Sequence, residues 1–270
     1  MLLLFFLLAL GFLILTFFRP LATLAVLALY LPFESVILKF APDEVYAYAR
    51  FFSEGLIYVL AGVVVWRALT GSIRLRSTRA DLPFILFLVI LAASVAINAV
   101  SPTVAILGTR QIIRFMLVFF IAVQLRPSRE YVRNLTVALL AVVGLQSVIG
   151  IVQSVSGGAF DAVLLPSESH SIGEVTLTGG VDQFWEQGTR VFATLGRYDR
   201  LGNFLYFFLA LAVGAFYELE SRKDRRELIP LFLVALPALV LTFSRASWFA
   251  FLIAFLFIAV WVKRDSRVTV

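Results

Sequence analysis

Long apolar runs separated by short polar breaks dominate this chain. Nine can be marked, at 2–18, 20–38, 55–69, 82–100, 112–125, 135–155, 201–217, 228–243 and 246–262. A helix that spans a bilayer needs about 20 predominantly apolar residues. The pattern therefore predicts an all-α fold, a polytopic transmembrane helical bundle of about nine spans forming a single transmembrane domain over 1–270. The first run lacks a basic leading segment and a small-residue cleavage site, and a second run follows at once. It reads as a retained helix, not a cleaved signal peptide. Arg19-Pro20 separates the first two runs, proline being favoured in a helix's first turn. Pro32 and Pro237 lie inside runs and predict kinks or local unwinding. No internal repeat or long linker interrupts the series, and the one substantial loop is 156–200.

Composition agrees with the pattern. Hydrophobic residues make up 61% of the chain and charged residues 15%, against roughly 45–50% and 25% in soluble domains. The formal net charge of +6 is not a nucleic-acid signal, because the arginines sit in short segments between the runs. The chain has no Cys, which excludes a disulfide framework, a thiol nucleophile and a thiolate-held metal. With one His and no paired-carboxylate motif, no metal and no cofactor is expected.

The basic residues orient the spans. Arg67, Arg74, Arg76 and Arg79 mark one segment, and Arg126, Arg129 and Arg133 the next. Arg222, Lys223, Arg225 and Arg226 mark a third, with Lys263, Arg264 and Arg267 in the tail. With Arg19 they hold 15 of the 23 basic residues and alternate as cytoplasmic segments should. The opposite face receives 39–54, 101–111, the loop 156–200 and the turn at Arg245. Nine spans with a cytoplasmic C-terminus put the N-terminus outside. That parity depends on the first two runs both crossing, whereas the outward placement of 156–200 and Arg245 does not.

Polar residues cluster towards the outer ends: Glu34, Glu54, Ser94, Asn98, Arg110, Gln111, Arg114, Gln146, Gln153, Asn203, Tyr206, Ser244 and Arg245. Arg110 and Arg114, spaced i,i+4, share one helix face and read either as interface anchors or as ligand groups. Gln146, Gly150 and Gln153 form another single-face stripe, which reads either as helix–helix packing or as part of a site. The loop has two halves. Ser156–Glu186 is rich in Gly and Ser, carries Asp161, Glu168, Glu174, Asp182 and Glu186, and is expected to be mobile over 157–186. His170, among serines there, reads as a solvated loop residue. The second half brings Arg190, Arg197 and Arg200 to the entrance of the seventh span. Guanidinium groups beside Thr, Gly and Tyr suit a multi-oxygen anion, because Arg binds phosphate bidentately.

The last feature is an arginine between two apolar runs, in Thr242-Phe243-Ser244-Arg245-Ala246-Ser247-Trp248. An arginine within the membrane costs from about 3 to more than 10 kcal/mol, depending on how far it snorkels, and Arg245 has no acidic neighbour in sequence. With Arg190 and the Arg110/Arg114 pair it makes a candidate basic cluster for a pyrophosphate at membrane depth.

The stretch from Arg190 through Gly196 and Leu201-Gly202-Asn203 into a long apolar helix resembles the first signature of the O-antigen ligase and O-antigen polymerase superfamily. Leu241-Thr242-Phe243-Ser244-Arg245-Ala246-Ser247-Trp248 resembles the second, a Thr-x-Ser-Arg-small turn entering a helix. The specific part covers about 20 residues within 190–248. The resemblance implies a glycosyltransferase of the type C membrane class, active in polysaccharide biosynthesis of the cell envelope. Such enzymes move a glycan from an undecaprenyl-diphosphate carrier to a glycan or lipid acceptor, without a metal, at the outer face of the bacterial inner membrane. It implies that Arg190 and Arg245 bind the donor diphosphate and neutralise its leaving charge, with Arg197, Arg200, Arg110 and Arg114 assisting.

In that superfamily a second, larger external loop follows, with a histidine proposed to activate the acceptor, and then further spans. This sequence runs to Val270, so the expectation is either an amino-terminal part of such an enzyme or a short relative that binds the donor without transfer. Two other classes stay open. A flippase or exporter of lipid-linked sugars would need polar residues along the whole path, and the inner halves of these runs are nearly free of them. A non-catalytic scaffold would use every arginine as a contact to membrane lipids.

Overall fold

The computed structural model describes residues 2–166, 171–172, 175–176 and 185–264. His170 and most of 167–184 lie outside the described residues, and with them most of the segment expected to be mobile. The helices are α1 (Leu2–Phe18), α2 (Pro20–Tyr30), α3 (Glu34–Lys39), α4 (Asp43–Leu69), α5 (Asp81–Ile97), α6 (Pro102–Leu125) and α7 (Arg129–Val155). They continue as α8 (Asp161–Leu164), α9 (Tyr198–Glu218), α10 (Arg222–Glu227), α11 (Ile229–Leu241) and α12 (Arg245–Leu256), which ends in a π turn over Phe257–Val262. The only strands among the described residues are a two-residue hairpin, Ser171–Ile172 with Val175–Thr176.

Every apolar run lies on helix. Six helices are long and apolar enough to cross a membrane: Pro20–Lys39, Glu44–Leu69, Pro102–Leu125, Arg129–Val155, Tyr198–Glu218 and Arg245–Val262. The chain is thus a multi-pass, helical membrane protein. The runs 2–18, 82–100 and 228–243 form helices of 17, 17 and 13 residues. Helices of 17 residues sit at the short end of the spanning range, and one of 13 crosses only where its flanking turns or a locally thinned bilayer make up the length. Pro32 sits in a 3-10 turn, Leu31–Phe33, that divides the second run into α2 and α3.

The chain divides into two compact units. The first comprises Met1–Leu27 and Ala47–Val132. Its core gathers Leu27, Leu56, Ile57, Leu60, Val64 and Ile121, with Phe12 against Phe52 at its edge. The polar link before α5 is tied down by Gln124, whose amide bonds both the N–H and the carbonyl of Arg76 at 2.9 Å. Asp81 closes the start of α5 in the manner of a capping box, accepting from the Thr78 hydroxyl at 2.5 Å and the Thr78 N–H at 2.9 Å. The Thr78 hydroxyl, then the Thr78 N–H, hold its carboxyl below the usual aspartate range.

The second unit comprises Ala28–Tyr46 and Arg133–Val270. Leu201, Leu205 and Leu209 repeat every four residues along α9 and are fully buried, against Ala235, Ala238 and Leu239 of α11 and Val143 of α7. Val191 and Ala193, from the long loop, complete this core. The loop is therefore partly an inward strap: burying its apolar residues requires its backbone N–H groups to find partners.

Candidate functional site

Those partners come from α7. Gln146, Gly150 and Gln153 share a face, and both amides are buried. Gln153 Oε1 accepts from the N–H groups of Phe192 and Ala193, each at 3.0 Å. Gln146 donates to Thr194 Oγ1 at 2.5 Å and accepts from the Thr194 N–H at 3.2 Å, while that hydroxyl donates to the Pro32 carbonyl at 2.7 Å. Between them Gly150 leaves room for Val191, whose Cγ2 lies 3.5 Å from where a Cβ would stand. The stripe that the sequence offers as helix packing thus grips a loop.

Gln153 is itself anchored. Its Nε2 donates to Asp161 Oδ1 at 2.7 Å, and Asp161 Oδ2 accepts from Trp185 Nε1 at 2.9 Å and from the Gly188 N–H at 3.3 Å. Asp161 is 1% exposed, a buried carboxylate whose charge is spread over three donors. The tight passage beside it needs glycine at 158, with φ of 83° and the Gly188 nitrogen 2.6 Å from a would-be Cβ. The described part of the acidic half is therefore a built turn. The sequence shows Asp161 only as one of several scattered acids; its setting between a Gly-Gly pair and Ala-Val-Leu-Leu is the signal that separates it from the others.

The second signature-like segment packs against the first. The Val191 N–H donates to the Leu241 carbonyl at 3.2 Å, so the backbone one residue past Arg190 bonds to the end of α11. There the chain turns sharply: Thr242 Oγ1 donates to Leu239 O at 2.7 Å and accepts from the Ser244 N–H at 3.2 Å. Ser244 and Ser247 hydroxyls lie 2.8 Å apart, and Ser247 Oγ donates to Asn203 Oδ1 at 3.2 Å. Gly202 lets α9 come this close, because a Cβ there would stand 2.5 Å from Ser247 Oγ and 3.1 Å from Ser244 Cβ. Both segments hold a non-glycine residue in the left-handed region, Ala193 at φ 47° and Phe243 at φ 49°. Such strain costs about 1–3 kcal/mol and persists only where the surroundings over-determine it.

The arginines differ in what they already hold. The Arg190 guanidinium stacks over the Tyr198 ring at 4.3 Å. Arg197 grips the Asp199 carboxylate with two nitrogens at 3.1 and 3.3 Å. Arg200 is exposed on the first turn of α9. Arg245 is exposed at the first position of α12 and forms no ion pair with a described residue. Ser244 spends its hydroxyl on Ser247 and does not cap the helix. The first-turn N–H groups and a guanidinium thus stand together at the positive end of a helix, a setting that favours an anion.

Arg110 and Arg114 belong to the first unit. Arg110 pairs with buried Glu54 at 3.2 Å and stacks over Phe51 at 4.4 Å. Tyr58 donates to the same carboxylate at 2.9 Å. Arg114 stacks over Phe115 at 4.7 Å. The sequence shows the two i,i+4 pairs, Glu54/Tyr58 and Arg110/Arg114, without showing that they meet. Among the described residues no three His, Asp or Glu side chains come together as metal ligands would.

No protein-family model, curated protein or solved structure matches the chain.

Proposed function

We propose that the protein acts on undecaprenyl-diphosphate-linked glycans at the outer face of a bacterial inner membrane, as a metal-independent glycosyltransferase of the O-antigen ligase and polymerase kind. The observation that carries the reading is the hydrogen bond from Val191 to Leu241. It joins the two segments that resemble the superfamily's signatures, which lie far apart in sequence. In this reading Arg245 and the uncapped first turn of α12 receive the diphosphate. Arg190 approaches it from the strap, with Arg197 and Arg200 on the adjoining turn. Transfer breaks the bond between the anomeric carbon and the diphosphate oxygen and forms one to the oxygen of an acceptor hydroxyl, whose proton is released to water or to the leaving diphosphate. The electron pair leaves on the diphosphate, where fixed positive groups stabilise the developing charge, typically by a few kcal/mol per donor. Arg110 and Arg114 belong to the other unit and are not assigned to this site.

The test is binding of an undecaprenyl-diphosphate analogue to purified variants. Arg245→Ala should weaken binding roughly ten- to a hundredfold, the range of a lost charge-assisted hydrogen bond. Arg245→Lys should weaken it nearly as much, because it keeps the charge and loses the planar fork. At a lipid-facing anchor lysine would substitute well, since it also snorkels. Unchanged affinity in both Arg190→Ala and Arg245→Ala would leave a scaffold as the better reading. Donor binding without appearance of acceptor-linked glycan would separate a donor-binding relative from a transferase.

A further inference from the structure

The first unit carries a cavity of about 540 Å³, within the size range of small-molecule sites, that the proposed donor site does not use. One helix-spaced set on α5, including Leu88 and Val95, forms one wall, and a matching set on α6, including Ala105 and Ile113, forms the other. Tyr58 and Arg110 also line it. The small side chains of Ala92 and Ala105 leave space between the two faces unfilled. The result is an apolar slot with a cation in its wall.

The charges beside the slot do not cancel. Glu54 is the one carboxylate in the group, paired with Arg110 at 3.2 Å and accepting from Tyr58. Arg114, one turn further along α6, adds a second guanidinium on the same helix face as Arg110. Two positive charges against one negative leave the group at +1, on spans where unpaired charge is costly. The Nε–H groups of both Arg110 and Arg114 are also buried without a hydrogen-bond partner among the described residues. Unmet donors and surplus positive charge beside an apolar slot fit an amphiphile with an apolar chain and an anionic head.

We infer that this cavity binds an anionic membrane lipid, its chain lying between α5 and α6 and its headgroup phosphate meeting Arg110 and Arg114. The headgroup neutralises the surplus charge that Glu54 leaves, which a zwitterionic lipid does not do. The site is independent of Arg190 and Arg245, which lie in the other unit.

Native mass spectrometry of the purified protein, with phosphatidylglycerol or phosphatidylcholine of identical chains added, tests this. The wild type should retain phosphatidylglycerol roughly fivefold better, the effect of about one cation near an anionic headgroup. Arg114→Gln, which leaves the Glu54–Arg110 pair intact, should abolish that preference, and Arg114→Lys should restore most of it. Ala92→Phe, which fills the slot from its open side, should reduce retention of phosphatidylglycerol whatever its headgroup contacts. The Arg190→Ala/Arg245→Ala double variant should retain lipid as the wild type does, whether or not donor binding is lost. No preference in the wild type, or an undiminished one in Arg114→Gln, overturns the inference. Should Arg114→Gln fail to fold by far-UV dichroism, undiminished phosphatidylglycerol retention by Ala92→Phe overturns it instead.

Discussion

Replacing Gln153 by leucine leaves an apolar side chain of similar size and removes the amide that ties Phe192 and Ala193 to α7, while Gln146 still holds Thr194. The Phe192 and Ala193 N–H groups, on residues 1% and 0% exposed, lose their shared acceptor. Each orphaned buried donor costs about 1–3 kcal/mol. Asp161 loses one of its three donors, a charge-assisted bond worth about 1.5–3 kcal/mol. The added apolar burial returns about 1–2 kcal/mol. Because the losses share one network and are not additive, a net destabilisation of roughly 3–4 kcal/mol is expected. Unfolding in mixed micelles with rising dodecyl sulfate, followed by far-UV dichroism, measures it. Val152→Ala, a neighbour 47% exposed, serves as a control that should cost well under ~1 kcal/mol. Gln153→Glu keeps the acceptor for both N–H groups but loses the donor to Asp161, and should differ in stability from Gln153→Leu. A loss below about 1 kcal/mol in Gln153→Leu, or one equal to the control, would refute the idea that this amide holds the strap.

Gly202→Ala should destabilise by about 1–3 kcal/mol through overpacking, measured in the same unfolding assay, and Ser247→Gly in the same chain should recover part of that loss. Phe243→Val should cost more stability than Phe243→Gly, although glycine buries less, because a β-branched residue tolerates the left-handed region worst. Asp81 has its folded-state pKa lowered by Thr78 and Ser77, so its contribution is present at neutral pH and is lost as pH falls through that value. Amide exchange at the start of α5 should therefore quicken in acid in the wild type and show no such step in Asp81→Ala. Single cysteines at Thr189 and Glu220 in this Cys-free chain should react with an impermeant reagent in intact cells only at 189; labelling at 220 alone would reverse the orientation.

What could be read from the sequence was whatever periodicity carries. Every apolar run became helix, because burial in lipid or protein needs an uninterrupted ladder of backbone hydrogen bonds. The ends of those helices were less legible: α4, α6 and α7 begin well before their apolar runs, since polar residues extend a helix that has already nucleated. At the site, the Gln146, Gly150 and Gln153 stripe was visible as one face, but its partner was a loop 40 residues away in sequence from Gln153. No local pattern encodes such a meeting. The same holds for Glu54 and Arg110, whose pairing depends on how α4 and α6 pack.

The bond between Val191 and Leu241 also sets an order of assembly. The two residues are 241 − 191 = 50 positions apart, about 3–10 s of synthesis at typical rates. Through that interval α7 can already grip Phe192, Ala193 and Thr194, while the Val191 N–H still waits for its acceptor. The strap is thus a template completed last, when the turn bearing Arg245 arrives and docks against Gly202. Until that turn is in place, the Val191 N–H has no acceptor and the strap's edge stays open.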